Sequence, residues 1–355
     1  MNSKEKILVT GAGGFIGGWL AETLYLSNAS SVRAGVHSWA GAVRPARFPM
    51  EIVLCDILNP QQIADAVEGV NCVIHCAKGA SPESIIQGTR NLLEASLQHG
   101  VQRFIHIGTT EVYGRPIGNI DETFPFQTFK NSYADCKIEA EKICWEFYSR
   151  GLPLTVIRPP IVYGPFGETW TVNIAQKLQS GNWGTFKKNG EGICNLIYIS
   201  DLVTGILMAA RDKRAIGEVF NMNGPEMLTW NEYFQRYNAI LGLPDLPLIE
   251  TGDARMRAMI NEPLRTSIKY VQKHFMSTIK NLAAHSRLAR QAMKFVEQKM
   301  KTSPRPTDFS LFSLKAFYVS NKAQEMLGFR PRFNLDAGLA LTLPWLKQVG
   351  LLDQN

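Results

Sequence analysis

The chain has 355 residues, 45% of them hydrophobic, and carries 38 Lys and Arg against 31 Asp and Glu, a formal charge of +7. It is long enough to bury a large core as one domain or two interlocked lobes, and no apolar run reaches the roughly 18 residues that a transmembrane helix needs. Six cysteines at 55, 72, 76, 136, 144 and 194 form no Cys-x-x-Cys pair, which argues against a disulfide framework or a metal site and for reduced thiols in a cytoplasmic protein.

The first element, Ile7-Leu8-Val9-Thr10-Gly11-Ala12-Gly13-Gly14-Phe15-Ile16-Gly17, reads as strand, glycine turn and helix. Glycines at 11, 14 and 17 let backbone amides approach a pyrophosphate, while the helix opening at Phe15 and Ile16 presents its positive N-terminal end to that anion. A bound dinucleotide is expected there. Lysines precede this apolar stretch, but glycines interrupt it, so it is not read as a signal peptide. Further apolar runs follow near 32–37, 51–55, 71–76, 102–107 and 153–158, rich in Val and Ile and separated by helical patterns. This alternation predicts an α/β fold, a Rossmann-type doubly wound parallel sheet covered by helices on both faces.

After Pro165 the pattern becomes irregular. Residues 1–165 with 196–220 are expected to form the dinucleotide-binding domain, and 166–195 with 221–355 a smaller C-terminal substrate lobe that includes a helical insertion.

In Asn131-Ser132-Tyr133-Ala134-Asp135-Cys136-Lys137, the tyrosine and lysine are four apart. On a helix that spacing stacks the two side chains on one face, where an ammonium near a phenol lowers the phenol's pKa from about 10. Such a tyrosine can give and take a proton near neutral pH, as hydride transfer at a secondary alcohol requires.

Other segments complete a pattern in chain order: Cys55-Asp56-Ile57, His75-Cys76-Ala77, Gly88-Thr89-Arg90-Asn91, Thr109-Thr110-Glu111-Val112-Tyr113-Gly114, Arg158-Pro159-Pro160-Ile161-Val162-Tyr163-Gly164-Pro165 and Tyr198-Ile199-Ser200-Asp201-Leu202. With the glycine turn and the Tyr133/Lys137 pair, the chain resembles the extended short-chain dehydrogenase/reductase superfamily, the epimerase/dehydratase group, over nearly its whole length. The resemblance implies Tyr133 as the proton shuttle, Thr109 as a hydrogen-bond partner of the reacting oxygen, and Lys137 on the nicotinamide ribose. It also implies Asp56 at the adenine edge, with Ile57 and Ala77 in the cofactor site and Pro160, Ile161 and Val162 beside the nicotinamide. No metal is implied.

Members that prefer NAD carry an acidic residue after the second strand, whereas this chain has Val36, His37 and Ser38 followed by Arg44 and Arg47. A 2′-phosphate would meet His37 and Arg44, so the cofactor is read as NADP or NAD, leaning to NADP. Glu111 matches the base of sugar-nucleotide dehydratases, but the acid that precedes it there is Thr110 here. Decarboxylases and epimerases carry an arginine where this chain has Cys194, Ile85 stands in place of an asparagine, and Lys78, beside the expected cofactor site, is read as contacting a phosphate or pointing to solvent, leaning to solvent.

The segment 253–305 holds twelve basic and three acidic residues, so all excess positive charge lies there. Ile260, Leu264, Ile268, Val271, Phe275, Ile279 and Leu282 keep helical spacing beside Arg265, Lys269 and Lys273. Two readings stay open: a lid that docks on an anionic partner or membrane surface, or an insertion that packs on the lobe. No nucleic-acid motif accompanies the charge, and a homodimer stays open.

The leading functional reading is an NAD(P)-dependent oxidoreductase acting on a sugar or sugar-like alcohol with a nucleotide or phosphate handle. The alternative is a ketoreductase or dehydrogenase on a hydrophobic alcohol, similar to hydroxysteroid dehydrogenases and dihydroflavonol reductases. A third reading, an idle dinucleotide sensor, conflicts with the intact Thr109, Tyr133 and Lys137.

Overall fold

Short strands, buried at the centre of the sheet, alternate with helices through the first half of the chain. The computed structural model describes residues 4–79, 81–128, 133–250 and 304–352, so nearly all of the basic segment 253–305 lies outside the described residues. In chain order come β1 (Lys6–Thr10), α1 (Phe15–Ser27), β2 (Ser31–Val36), β3 (Glu51–Leu54), α2 (Pro60–Val67), β4 (Cys72–His75), α3 (Pro82–Gln98), β5 (Arg103–Ile107), β6 (Gly118–Ile120), α4 (Tyr133–Ser149), β7 (Leu154–Arg158) and β8 (Ile161–Tyr163). Local chemistry sets the helix starts. Asn59 caps α2 ahead of Pro60, and Ser81 caps α3 in a reciprocal pair with Ser84.

After α5 (Asn173–Gln179) and β9 (Thr185–Phe186), the chain continues through β10 (Leu196–Tyr198), α6 (Ile199–Arg211), β11 (Val219–Asn221), α7 (Trp230–Ile240) and β12 (Leu248–Ile249) to β13 (Ala316–Tyr318). The central sheet runs β11-β7-β5-β4-β1-β2-β3, with every pair parallel. This is the doubly wound order expected from the sequence, and β1 to β5 and β7 fall within about a residue of their expected positions, whereas β6, paired with β13 outside this sheet, is not among the expected strands. Leu8, Val73, Phe104, Val156, Leu92 and Phe147 bury together between sheet and helices. Two buried arginines close helix ends: Arg33 donates to the Asp65, Ala66 and Glu68 carbonyls at the C-terminal end of α2, and Arg103 to the Ala209 and Asp212 carbonyls at that of α6.

The described residues divide into two compact units. The first holds those up to Tyr163 together with 195–225 and 317–334; the second holds 164–194, those of 226–316, and those from Leu335 on. The segment 317–334, expected in the smaller lobe, folds with the sheet instead. Asp201 explains why: its buried carboxylate accepts from the Arg332 and Phe333 amides at 2.9 Å each. Asn195 adds to this by accepting from the Tyr318 amide. The second unit has an aromatic core in which Trp183, Phe186, Phe234, Phe312 and Trp230 meet at ring-centroid separations of 4.6–6.3 Å.

One ion pair ties the catalytic half of the sheet to its helix. Arg158, the last residue of β7, pairs with Glu141 of α4, and both side chains are buried. Arg158 also donates to the Tyr113 hydroxyl at 2.7 Å, which in turn donates to Asn221 of β11 at 2.7 Å. Breaking such a pair leaves a buried charge without its partner, so Glu141→Met is expected to cost about 3–5 kcal/mol. Replacing both residues, Arg158→Met with Glu141→Met, should recover most of that loss. Urea unfolding of both variants checks this, and a double variant no more stable than the single would refute it.

Candidate active site

Backbone geometry at the first strand-to-helix turn leaves no room for side chains. Gly11 adopts φ +68°, and a Cβ there would lie 2.9 Å from the Ala77 backbone at the end of β4. On Gly17 a Cβ would lie 2.4 Å from the Gly11 carbonyl oxygen, and on Gly13 2.3 Å from that of Gly41. Gly14 caps α1 without any side-chain bond, so the first-turn amides of Phe15, Ile16 and Gly17 remain oriented toward an incoming anion. This cradle fits a dinucleotide pyrophosphate. Ala77 is fixed beside it, its amide donating to the Thr10 hydroxyl, which also bonds His75 Nδ1 at 2.9 Å. Burial holds His75 neutral, its pKa lowered to about 3.

Past the ends of β2 and β3, Asp56 accepts from the Leu58 amide and stands 3.6 Å from the exposed His37 ring. Ile57 is held from behind: a Cβ on Gly88 would strike it at 2.4 Å, and Asn91 donates to its carbonyl. The structure corrects the expectation for Arg44. Its guanidinium is buried against Gly18 and donates twice to Glu22 of α1, at 3.0 and 2.8 Å. Arg47 reaches the same carboxylate and is half-exposed. Glu22 is buried and demands compensation, so Arg44 serves the fold where the sequence reading had it facing a ligand.

The catalytic candidates converge at the end of β5. Lys137 is buried, and its Nζ donates to the Ile107 carbonyl at 2.6 Å, two residues before Thr109. Thr109 accepts from the Glu111 amide and starts the turn that carries Glu111. Tyr133 opens α4, and its hydroxyl feels the Glu111 carboxylate. Its pKa corrects the sequence reading: burial, then Glu111 and Cys136, push it up to about 12. Lys137 does not pull it down, because the ammonium turns to Ile107. Burial lowers Lys137 itself to about 8, and burial likewise raises Glu111, against the opposing pull of Lys78. Tyr133 and Glu111 are reached by solvent yet hemmed in by protein. Pro160, Ile161 and Val162 are half-buried at β8, which pairs with β10.

The departures from the family pattern now have surroundings. Thr110 is buried and hydrogen-bonded to Tyr318, which stacks on Tyr113 at 5.7 Å. Sequence reasoning missed Tyr318, which carries no motif and enters through the Asn195 and Asp201 anchors. Ile85 packs on Cys136 and Ala140, an apolar seam between α3 and α4. Cys194 is fully buried. Lys78 is exposed, and its Nζ lies over the Tyr133 ring, 4.8 Å from the centroid. Among the described residues, no helix is long and apolar enough to cross a membrane.

The sequence profile of the NAD dependent epimerase/dehydratase family matches residues 7–222, more than half of the chain. A 3-beta-hydroxysteroid dehydrogenase of Mycolicibacterium neoaurum is 25% identical, the alignment spanning 96% of this chain and 91% of that protein. A Bacillus subtilis protein described as an uncharacterized UDP-glucose epimerase is 30% identical over 62% of this chain and 77% of its own length. The solved structure of UDP-glucuronic acid 4-epimerase from Bacillus cereus in complex with NAD superposes with a TM-score of 0.71 at 21% identity, covering 98% of this chain and 99% of the other. That last likeness is one of fold.

Lys137 yields a stability prediction with a defined sign. Below pH 8 both folded and unfolded chains hold its proton, and the fold bears the full cost of the buried charge. Between about 8 and 10.5 only the unfolded chain keeps the proton, so the cost fades as pH rises. Burial accounts for roughly 3 kcal/mol, less about 1 for the lost Ile107 bond. Lys137→Met is therefore expected to stabilise the protein by about 2 kcal/mol at pH 7, with the gain vanishing by pH 10. Denaturant curves at both pH values decide it.

Proposed function

Because this chain belongs to the NAD dependent epimerase/dehydratase family, we propose that it is an enzyme that transfers hydride at a secondary alcohol or ketone through Thr109, Tyr133 and Lys137. The observation that carries this reading is the Lys137–Ile107 bond, which joins α4 to the end of β5 and so gathers Tyr133, Thr109 and Glu111. When bound, the nicotinamide supplies the hydride donor or acceptor. Gly11, Gly14, Phe15, Ile16, Gly17 and Ala77 would hold the pyrophosphate, and Asp56 and Ile57 the adenine end. With its pKa pushed up to about 12, Tyr133 keeps its proton at neutral pH and can deliver it from Oη to a ketone oxygen. Thr109 Oγ1 orients that oxygen, and Lys137 holds positive charge beside the site up to about pH 8.

Elimination of water is a poorer fit. Thr110 offers no acid, and its hydroxyl is engaged by Tyr318. For the substrate we favour a sugar or sugar-like alcohol, which the relative described as a UDP-glucose epimerase supports. A hydrophobic alcohol is the second reading, favoured by the buried Cys194 where an arginine would hold a nucleotide phosphate, and by the hydroxysteroid dehydrogenase relative. We also infer that NADP is accepted, since no carboxylate follows β2 and His37 is exposed there.

Tyr133→Phe should lose about 100-fold or more of turnover while cofactor affinity stays within about twofold, because only the proton relay is removed. Assays with UDP-glucose and with a 3β-hydroxysteroid, each with NAD and NADP, measure this. Retention of more than about a tenth of turnover would require another acid. In calorimetry, NADP is expected to bind at least as tightly as NAD, and a His37→Asp variant should reverse the order. A clear NAD preference in the wild type would refute it.

A further inference from the structure

We infer that Lys78 is an anion subsite and that the substrate carries a carboxylate or phosphate close to its reacting carbinol. The inference rests on the hydride-transfer reading, because it requires the substrate to lie against Tyr133. Lys78 follows Ala77 at the carboxyl end of β4, and its exposed side chain brings Nζ to 4.8 Å from the Tyr133 ring centroid. Its charge acts on Glu111 and on Lys137 as well, so one ammonium reaches three of the site's groups.

Two further observations direct that ammonium toward a ligand. Lys137 is buried on the Ile107 carbonyl, so its own ammonium is committed to the backbone. Lys78 does not neutralise Glu111, whose acid form burial still favours. A cation on the face of an exposed ring is held weakly, whereas a carboxylate or phosphate offers charge and hydrogen bonds together. An acidic substrate approaching Tyr133 would draw Lys78 from the ring onto its own oxygens.

The test uses the full chain loaded with NAD and calorimetry on two matched pairs: UDP-glucuronic acid against UDP-glucose, and 3-hydroxybutyrate against 1,3-butanediol. The carboxylate-bearing member of at least one pair should bind the wild type about tenfold more tightly than the partner with an alcohol in that place, as one charge-assisted hydrogen bond provides. Lys78→Met should bring that ratio within about twofold while leaving the affinities for the alcohol partners and for NAD unchanged, and Lys78→Arg should keep most of the preference. Melting curves establish that both variants fold. No acid preference in either pair overturns the inference, as does a preference that survives Lys78→Met. A fall in NAD affinity equal to the fall for the acid would assign the lysine to the cofactor pyrophosphate and also overturn it. Tyr133→Phe separates the two readings: it should keep the acid preference and lose turnover. Turnover retained with the preference intact counts against hydride transfer through Tyr133 and leaves the subsite standing.

Discussion

A carboxylate and a guanidinium buried together must be oriented within tenths of an ångström, and that demand organises the catalytic half of the first unit. Glu141 holds Arg158, Arg158 holds the Tyr113 hydroxyl, and Tyr113 holds Asn221. Four segments that are remote in sequence are thereby locked: the middle of α4, the end of β7, the turn after β5 and the start of the return at β11. Tyr133 and Lys137 lie on the same helix as Glu141, two turns and one turn before it respectively, so the pair sets where they emerge. Hydrophobic packing of α3 and α4 could tolerate small slides of the helix. A dry ion pair tolerates far less, since each misaligned oxygen forfeits solvation without gaining a bond.

The same dryness determines the site's electrostatics. In water, a lysine one helical turn from a tyrosine would favour phenolate. Here Lys137 is drawn to a backbone carbonyl inside the fold, and desolvation governs both groups: Tyr133 moves up to about 12 and Lys137 down to about 8. A neutral phenol beside a desolvated ammonium is poised to give a proton to an oxygen that gains negative charge. This arrangement suits reduction of a carbonyl, in which the developing alkoxide is stabilised by groups already oriented toward it.

Much of the fold was legible because it is written in local rules. The glycine spacing at 11, 14 and 17 admits few backbones, and runs of Val and Ile at regular intervals announce buried parallel strands. The site was legible only as far as spacing reaches. Tyr133 and Lys137 share a helix face as their separation requires, but the direction of the lysine depends on the Ile107 carbonyl, 30 residues earlier in the chain. Arg44 looked like a ligand for phosphate because Glu22, which claims it, lies twenty-two residues earlier on an otherwise apolar helix.

The return of 317–334 to the sheet was hidden for a related reason. Asp201 reads as one letter of a motif, and nothing in its neighbours shows that its carboxylate will accept two backbone amides from 332 and 333. Yet that contact brings Tyr318 onto Tyr113 and Thr110, and so finishes the wall behind Glu111. Thr110 thus stands as a hydroxyl tied into the scaffold, while Lys78 lies across the face of Tyr133. Both side chains lie beside Tyr133 and Glu111, and the glycine turn after β1 is built apart from them. In this fold the chemistry can therefore diverge through side chains at the ends of β4 and β5 while the dinucleotide geometry stays fixed.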